Sequence, residues 1–154
     1  MIPCAMCYLK KNGKTLMIHK NKNPDKCFYG FWDAPGGKIE PGETPTQAVV
    51  REFREESGLE LKEPKLRGVL TFSNLFGKQW LVYVFTAENF VGKLEEENPE
   101  GTLKWIDDSG FFSLKLCEAD HIFVPLFDQE KFITALFEHD ENNKIINHKI
   151  DLHS

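Results

Sequence analysis

Between Thr44 and Gly58 the chain specifies one element at both of its ends, and that element limits what can surround it. Thr44 is a good N-cap, Pro45 suits the first helical position, and Gln47, three residues on, completes a capping box. Gly58 supplies the left-handed residue that ends a helix after Ser57. The spacing therefore predicts a helix from Thr44 to about Ser57 on which Glu52, Glu55 and Glu56 stand at i, i+3 and i+4, within about 100° of one face. Val50 and Phe53 give this helix a flank to bury while the acidic face stays open. Three adjacent carboxylates repel one another and weaken an isolated helix. A hard divalent cation removes that penalty, because Mg²⁺ prefers carboxylate and water oxygens. Arg51 lies four residues before Glu55 and can hold it in place, and Glu43 adds a fourth carboxylate just before the cap. Taken alone, the cluster reads equally well as a solvated acidic face.

The rest of the chain alternates short apolar runs with turns. Ile2 to Leu9 and Thr15 to His19 flank Lys11-Asn12-Gly13 and read as a hairpin. Asn21 to Phe31 is polar, carries a Pro and a Gly, and reads as a loop of about ten residues, long enough to be functional. Strands are expected at Leu66–Phe72, Trp80–Thr86 and Thr102–Ile106. A short helix is expected from Asp120 to about Gln129, bent by Pro125. Phe132–Thr134 and Ile146–Ile150, around the turn Glu141-Asn142-Asn143-Lys144, read as a terminal hairpin.

A chain of 154 residues favours a single domain with one core, and thirteen Phe make an aromatic-rich interior the simple expectation. The formal net charge of −5 argues against a nucleic-acid polymer as partner, because counterion release needs cations. A small polyphosphate is compatible if metal ions screen the repulsion. No run approaches the roughly 18 apolar residues that span a bilayer. The N-terminal MIPCAMCYLKKNGK lacks a basic region ahead of an apolar stretch and does not read as a signal peptide. Cys4, Cys7, Cys27 and Cys117 make no disulfide framework. Cys4-x-x-Cys7 invites a zinc reading, but no second close pair exists and on a strand the two side chains point to opposite faces. Reduced thiols in a cytoplasmic protein are expected. The sequence carries no signal for an oligomeric state.

The full spacing separates the two readings of the acidic helix. Gly37, five residues, Glu43, seven residues, then Arg51-Glu52-Phe53-x-Glu55-Glu56-x-Gly58-Leu59 matches the Nudix box at every fixed position. At roughly 5–7% usage per residue type, seven fixed positions coincide on the order of once in 10⁸ windows or fewer. The chain thus resembles the Nudix hydrolases, and the resemblance extends over most of its length. It is most similar to the MutT branch, which sanitises oxidised nucleoside triphosphates. Phe31-Trp32-Asp33-Ala34-Pro35-Gly36-Gly37-Lys38 resembles the segment leading into the box. Glu100-Gly101-Thr102-Leu103-Lys104-Trp105 resembles the strand after the catalytic loop. Glu118-Ala119-Asp120-His121-Ile122-Phe123 resembles the segment whose acidic residue reads the base.

That resemblance implies an α/β/α sandwich over residues 1–154, with the box at 37–59 and a mixed sheet between the box helix and a helix nearer the C-terminus. It implies two or three Mg²⁺ or Mn²⁺ ions that neutralise phosphates and activate water. Glu52, Glu55, Glu56, Glu100 and the Gly37 carbonyl are the implied ligands, with Arg51 in the catalytic set. Lys20, Asp33, Lys38 and Asp120 are the implied substrate contacts, Asp120 having a helix-start acid as its alternative role. The implied reaction takes a purine nucleoside triphosphate, such as 8-oxo-dGTP, to its monophosphate and pyrophosphate. Two other readings stand beside it: a Nudix hydrolase of a dinucleotide, nucleotide sugar or capped RNA end, and a non-catalytic nucleotide-binding module. The intact glutamates weigh against the second. Substrate-binding positions depart from the mammalian member of the branch. Ala119 and Asp120 replace two adjacent acids, Cys117 a tryptophan, Asp33 an asparagine and Ala5 a threonine. Phe28, Tyr29 and Phe123 are the aromatic candidates to replace the lost stacking surface.

Overall fold

The expected hairpin forms. β1 (Ile2–Lys11) and β2 (Lys14–His19) turn through Asn12 and Gly13, at φ of 52° and 75°. Two consecutive left-handed residues are what a two-residue hairpin asks for, and Asn-Gly tolerates them best. The computed structural model describes residues 1–154. After the loop come β3 (Trp32–Asp33), β4 (Gly36–Lys38), α1 (Pro45–Ser57), β5 (Glu60–Lys62), β6 (Lys65–Leu75), β7 (Lys78–Ala87), β8 (Asn89–Val91), β9 (Glu97–Asn98) and β10 (Gly101–Asp107). A 3₁₀ turn at Asp108–Ser113 leads to α2 (Glu118–Phe123), a second 3₁₀ turn at Val124–Asp128, then β11 (Phe132–His139) and β12 (Ile145–His153).

The main sheet runs β12-β11-β6-β7-β1-β2-β10-β9, with β3 on β2 and β4 on β1, while β5 and β8 form a separate ribbon. It is mixed, because β1 pairs in parallel with β7 and β11 with β6. Alternation along the strands divides the core between two faces. On one face Leu9, Leu16, Ile18, Phe85 and Leu103 meet Ala48, Val49 and Phe53 of α1. On the other, Tyr8, Met17, Leu70, Phe72, Val84 and Phe137 meet Ala119 and Phe123 of α2, with Phe127 beyond it. The expected α/β/α sandwich is therefore present.

One edge of β1 is shared. Leu9 to Lys11 pair with β2, while Cys4 to Met6 pair with β4, so the sheet forks at this edge. The fork lets β4 run beneath α1. The helix itself has the ends read from the sequence. The Gln47 amide donates to Thr44 Oγ1 at 3.1 Å, and the Thr44 amide to Gln47 Oε1 at 2.9 Å. Gly58 lies at φ 77° with its amide donating to the Arg54 carbonyl at 2.8 Å.

Two boundaries differ from expectation. The helix expected from Asp120 to Gln129 starts earlier, at Glu118, and ends at Phe123, where Pro125 tightens the continuation into a 3₁₀ turn. Asp120 is thus third in its helix, and the cap position belongs to Cys117, which makes no side-chain capping bond. The terminal hairpin is longer than its alternating residues suggested, since β11 pairs with β6 along its whole parallel edge.

The αL end of α1 gives a direct test. A Cβ at Gly58 would stand 2.8 Å from the Lys93 carbonyl oxygen as well as demanding positive φ. Gly58→Val is expected to destabilise the protein by at least roughly 1–2 kcal/mol, lowering Tm by a few degrees. A Tm equal to that of the wild type would mean the helix end does not depend on this conformation.

Candidate active site

The carboxylates of α1 rest on bare glycine backbone. The Gly36 amide donates to Glu56 Oε1 at 3.3 Å. A Cβ added to Gly37 would fall 2.5 Å from the Glu52 carboxyl carbon, so only glycine leaves room for that side chain. Glu56 is buried. Burial, and then the nearby Glu100, push its carboxyl up to about 8, with Lys20 and the Gly36 amide pulling the other way and Glu52 adding a smaller push. A desolvated carboxyl facing two further carboxylates is a poor lone anion and a good oxygen ligand for a hard divalent cation. The donor set fits Mg²⁺ or Mn²⁺, although no three acidic side chains stand at ligand spacing here.

Arg51 engages the carboxylates of Glu52 and Glu55. Its guanidinium grips Glu43 through Nε at 2.6 Å and Nη2 at 2.9 Å, Glu52 through Nη1 at 2.8 Å and Glu55 through Nη1 at 3.4 Å. It also donates to the Lys38 carbonyl at 3.1 Å. Arg51 holds the Glu43 carboxyl down at about 2. The expected Arg51–Glu55 pair exists, but it is the weakest part of a larger net that fastens the Lys38–Glu43 loop to the helix. Glu55 is exposed, and neither it nor Arg51 lines the cavity. Arg51 therefore acts on the other residues as a positioning group.

Glu100 reaches the site from the opposite side, on the turn between β9 and β10, where its charge is felt at Glu56, Lys20 and Asp33. Asn98 holds that turn. Its side-chain oxygen accepts from the Glu100 amide at 2.8 Å and the Gly101 amide at 3.1 Å, and its Nδ2 donates to the Glu56 carbonyl at 3.0 Å. The sequence signal for this residue is the turn composition Asn98-Pro99-Glu100-Gly101.

Gly37, Lys38, Glu52 and Glu100 line a cavity of about 540 Å³ together with Lys20, Asp33, Cys117 and Asp120, while Glu56 is buried behind Gly36, outside the lining. The cavity has room for a nucleotide. Lys20 and Asp33 pair at 3.7 Å, and Asp33 Oδ1 also accepts from the Ala34 amide at 2.9 Å. Burial works to lower Lys20, but Asp33, Glu56 and Glu100 outweigh it and raise the ammonium above its ordinary range. Burial also raises Asp33, against the pull of Lys20. Asp120 is buried, and burial and then Asp33 push its carboxyl well above the usual range. The neighbouring Tyr8 hydroxyl is buried, and burial, then the charge of Asp120, push it well above its ordinary range. Asp120 faces the cavity instead of capping its helix.

Of the three aromatic candidates, only Phe28 lines the cavity. Phe123 is fully buried in the core and Tyr29 is exposed. Trp80, unremarked in the sequence, is the second aromatic wall. Its ring stands 5.7 Å from Phe28, and its Nε1 donates to the Leu75 carbonyl at 3.0 Å. Cys4 lines the same cavity while Cys7 is buried in the opposite half of the core, as their spacing on a strand requires. All four cysteines are free, and no helix is long and apolar enough to cross a membrane.

The geometry agrees with the proteins this chain resembles. The NUDIX domain profile matches residues 3–144. An uncharacterised Nudix hydrolase of Bacillus subtilis, YvcI, is 30% identical over 150 residues, 94% of this chain and 91% of that one. An oxidized purine nucleoside triphosphate hydrolase of Danio rerio is 31% identical over 123 residues, covering 79% of this chain and 78% of that one. The crystal structure of a mutator MutT protein from Bacillus halodurans superposes with a TM-score of 0.86 at 26% identity, covering 98% of both chains. The box read between Gly37 and Leu59, folded as a capped helix over a glycine strand, therefore belongs to a member of the Nudix family, a pyrophosphohydrolase of MutT-like architecture.

Proposed function

We propose that this enzyme hydrolyses a purine nucleoside triphosphate of guanine type, oxidised forms such as 8-oxo-dGTP included, to the monophosphate and pyrophosphate. The observation that carries the reading is the single cavity that joins the carboxylates on the glycine strand to the buried Asp120. The Danio rerio relative's name points to the same substrate class.

Glu52, Glu56, Glu100 and the Gly37 carbonyl would hold Mg²⁺ or Mn²⁺, and Glu55 would be the further carboxylate on the same helix face. The ions supply neutralisation of the phosphate charge and a water acidified enough to attack at neutral pH. Lys20 and Lys38 offer ammonium groups to the phosphates, so the chain needs no covalent nucleophile, only in-line positioning and charge dispersal. Phe28 and Trp80 supply the flat apolar walls for the base.

Asp120 reads the base edge. An ionised carboxylate only accepts, which suits the adjacent N1–H and exocyclic amine of guanine and opposes the N1 lone pair of adenine. Its protonated form can donate to that lone pair. Asp33, Cys117 and Tyr8 are the titratable groups around Asp120. Because the carboxyl titrates above its ordinary range, rising pH favours the acceptor-only form and hence guanine.

Guanine-type triphosphates are expected to exceed adenine-type ones by at least about tenfold in kcat/KM, with a ratio that grows as pH rises. Asp120→Asn should narrow the ratio and flatten its pH dependence. A turnover panel of oxidised and ordinary nucleoside triphosphates, ADP-ribose and dinucleotides, with products identified by mass, measures this. Equal turnover of dATP and dGTP analogues would remove Asp120 from base reading.

For the metal end, Glu56→Gln is expected to lower kcat by at least about a hundredfold while leaving the circular dichroism near native. Mn²⁺ binding followed by electron paramagnetic resonance should weaken in parallel. Activity within about threefold of wild type, or unaltered Mn²⁺ affinity, would take Glu56 out of the ligand set.

A further inference from the structure

The turn between β11 and β12 contributes no residue to the cavity lining but bonds to Phe76 and Glu118, the residues behind its aromatic and acidic walls. On one side Asn143 Oδ1 accepts from the Phe76 amide at 2.7 Å. Phe76 sits in the β6–β7 turn at φ 51°, a conformation that bulky side chains seldom adopt and that persists where surroundings hold it. Its ring meets the edge of Phe28 at 4.8 Å and of Phe31 at 6.2 Å. Phe28 in turn faces Trp80 across the cavity wall. A second bond ties the same two turns together, from Asn74 Nδ2 to the His139 carbonyl at 3.1 Å.

On the other side the turn is tied to the start of α2. The Ile145 amide donates to Glu118 Oε2 at 2.9 Å, and Lys144 pairs with Glu118 Oε1 at 3.4 Å. Glu118 begins the helix that carries Asp120. The turn is itself stiffened by Asp140, whose Oδ1 accepts from the amides of Asn142 at 2.8 Å and Lys144 at 3.0 Å.

We infer that the Asp140–Ile145 turn is a brace that sets the separation of the aromatic wall from the acidic wall, with Asn143 as a positioning residue for base recognition. Asn143 meets two demands at once. It occupies φ 62°, which Asn tolerates better than most residues, and it satisfies a half-buried amide on a strained phenylalanine. The two-residue Phe76-Gly77 hairpin asks for positive φ at Phe76, and the Asn143 acceptor offsets the strain a bulky residue carries there; without it the Phe76 ring is held less firmly against Phe28. The brace acts on the base end alone, so its loss should weaken substrate binding equally in ground and transition states.

The inference rests on the reading of the cavity as a nucleotide base site, and two measurements separate the two. Asn143→Gly keeps the left-handed backbone and removes the acceptor, whereas Asn143→Asp keeps both. In the nucleotide-free protein, hydrogen exchange of the amides at 28–31 should quicken at least about tenfold in Asn143→Gly and stay near wild type in Asn143→Asp. This readout needs no substrate. With dGTP and Mg²⁺, Asn143→Gly should raise KM about five- to twentyfold with kcat within twofold, and Asn143→Asp should restore KM. Unchanged exchange at 28–31 in Asn143→Gly, or an Asn143→Asp variant as impaired as Asn143→Gly, overturns the brace. Altered exchange with no turnover of any nucleoside triphosphate by wild type would support the brace and refute the substrate reading.

Discussion

Everything at the site depends on how closely one strand of bare backbone can approach two neighbours. β4 lies between β1 and α1, and a Cβ on Gly36 would sit 2.1 Å from the Ala5 carbonyl oxygen. That contact is backbone to backbone and has no flexible partner to yield. With glycine at 36 and 37, the strand pairs to β1 while its amide meets Glu56 and its Cα meets Glu52. A bulkier residue at 36 would push β4 off β1, and one at 37 would displace the Glu52 carboxylate. The capping box, Gly58 and the Arg51 net then fix the helix along and about its axis, so that a set of mutually repelling acids has a defined geometry before any cation is bound.

The electrostatics follow from that enclosure. Burial raises the carboxyls of Glu56, Asp33 and Asp120, and Lys20 is the ammonium that Glu56 and Asp33 share. On the proposed reading, cations that screen the phosphates would relieve the helix carboxylates, and hydrogen-bond donors on the substrate would relieve Asp120. One cavity thus presents two different deficits, which is a physical basis for binding a molecule that is anionic at one end and a donor at the other.

Local signals were legible in the sequence, and signals created by long-range contact were not. Both ends of α1 and the Asn12-Gly13 turn could be read because their causes lie within a few residues. The box spacing gave Glu52, Glu56 and Gly37, and the flanking segments pointed to Lys20, Asp33, Lys38, Glu100 and Asp120, all of which meet around one cavity or its wall. Glu55 and Arg51 lie outside it, because an i, i+4 spacing cannot show that Arg51 has better partners in Glu43 and Glu52. Trp80 was hidden as one more aromatic in a strand. Only the fold of β7 beside β1, and a loop carrying Phe28 over it, makes it a cavity wall. The start of α2 was misplaced because Cys117 is no cap former, and packing of Ala119 and Phe123 set the boundary instead.

The two parallel pairings have a consequence for how the molecule assembles. β1 must find β7 some eighty residues later, and β6 must find β11 at a comparable remove, so neither closes by a short turn. Such contacts incur loop-closure entropy before they return any burial, and they slow folding relative to hairpins and helices. The box helix, with its local caps, can begin to form long before the cavity has walls. The cavity walls on β6 and β7 therefore rest on the fold's most remote pairings, whereas the caps of the box helix rest on its most local ones.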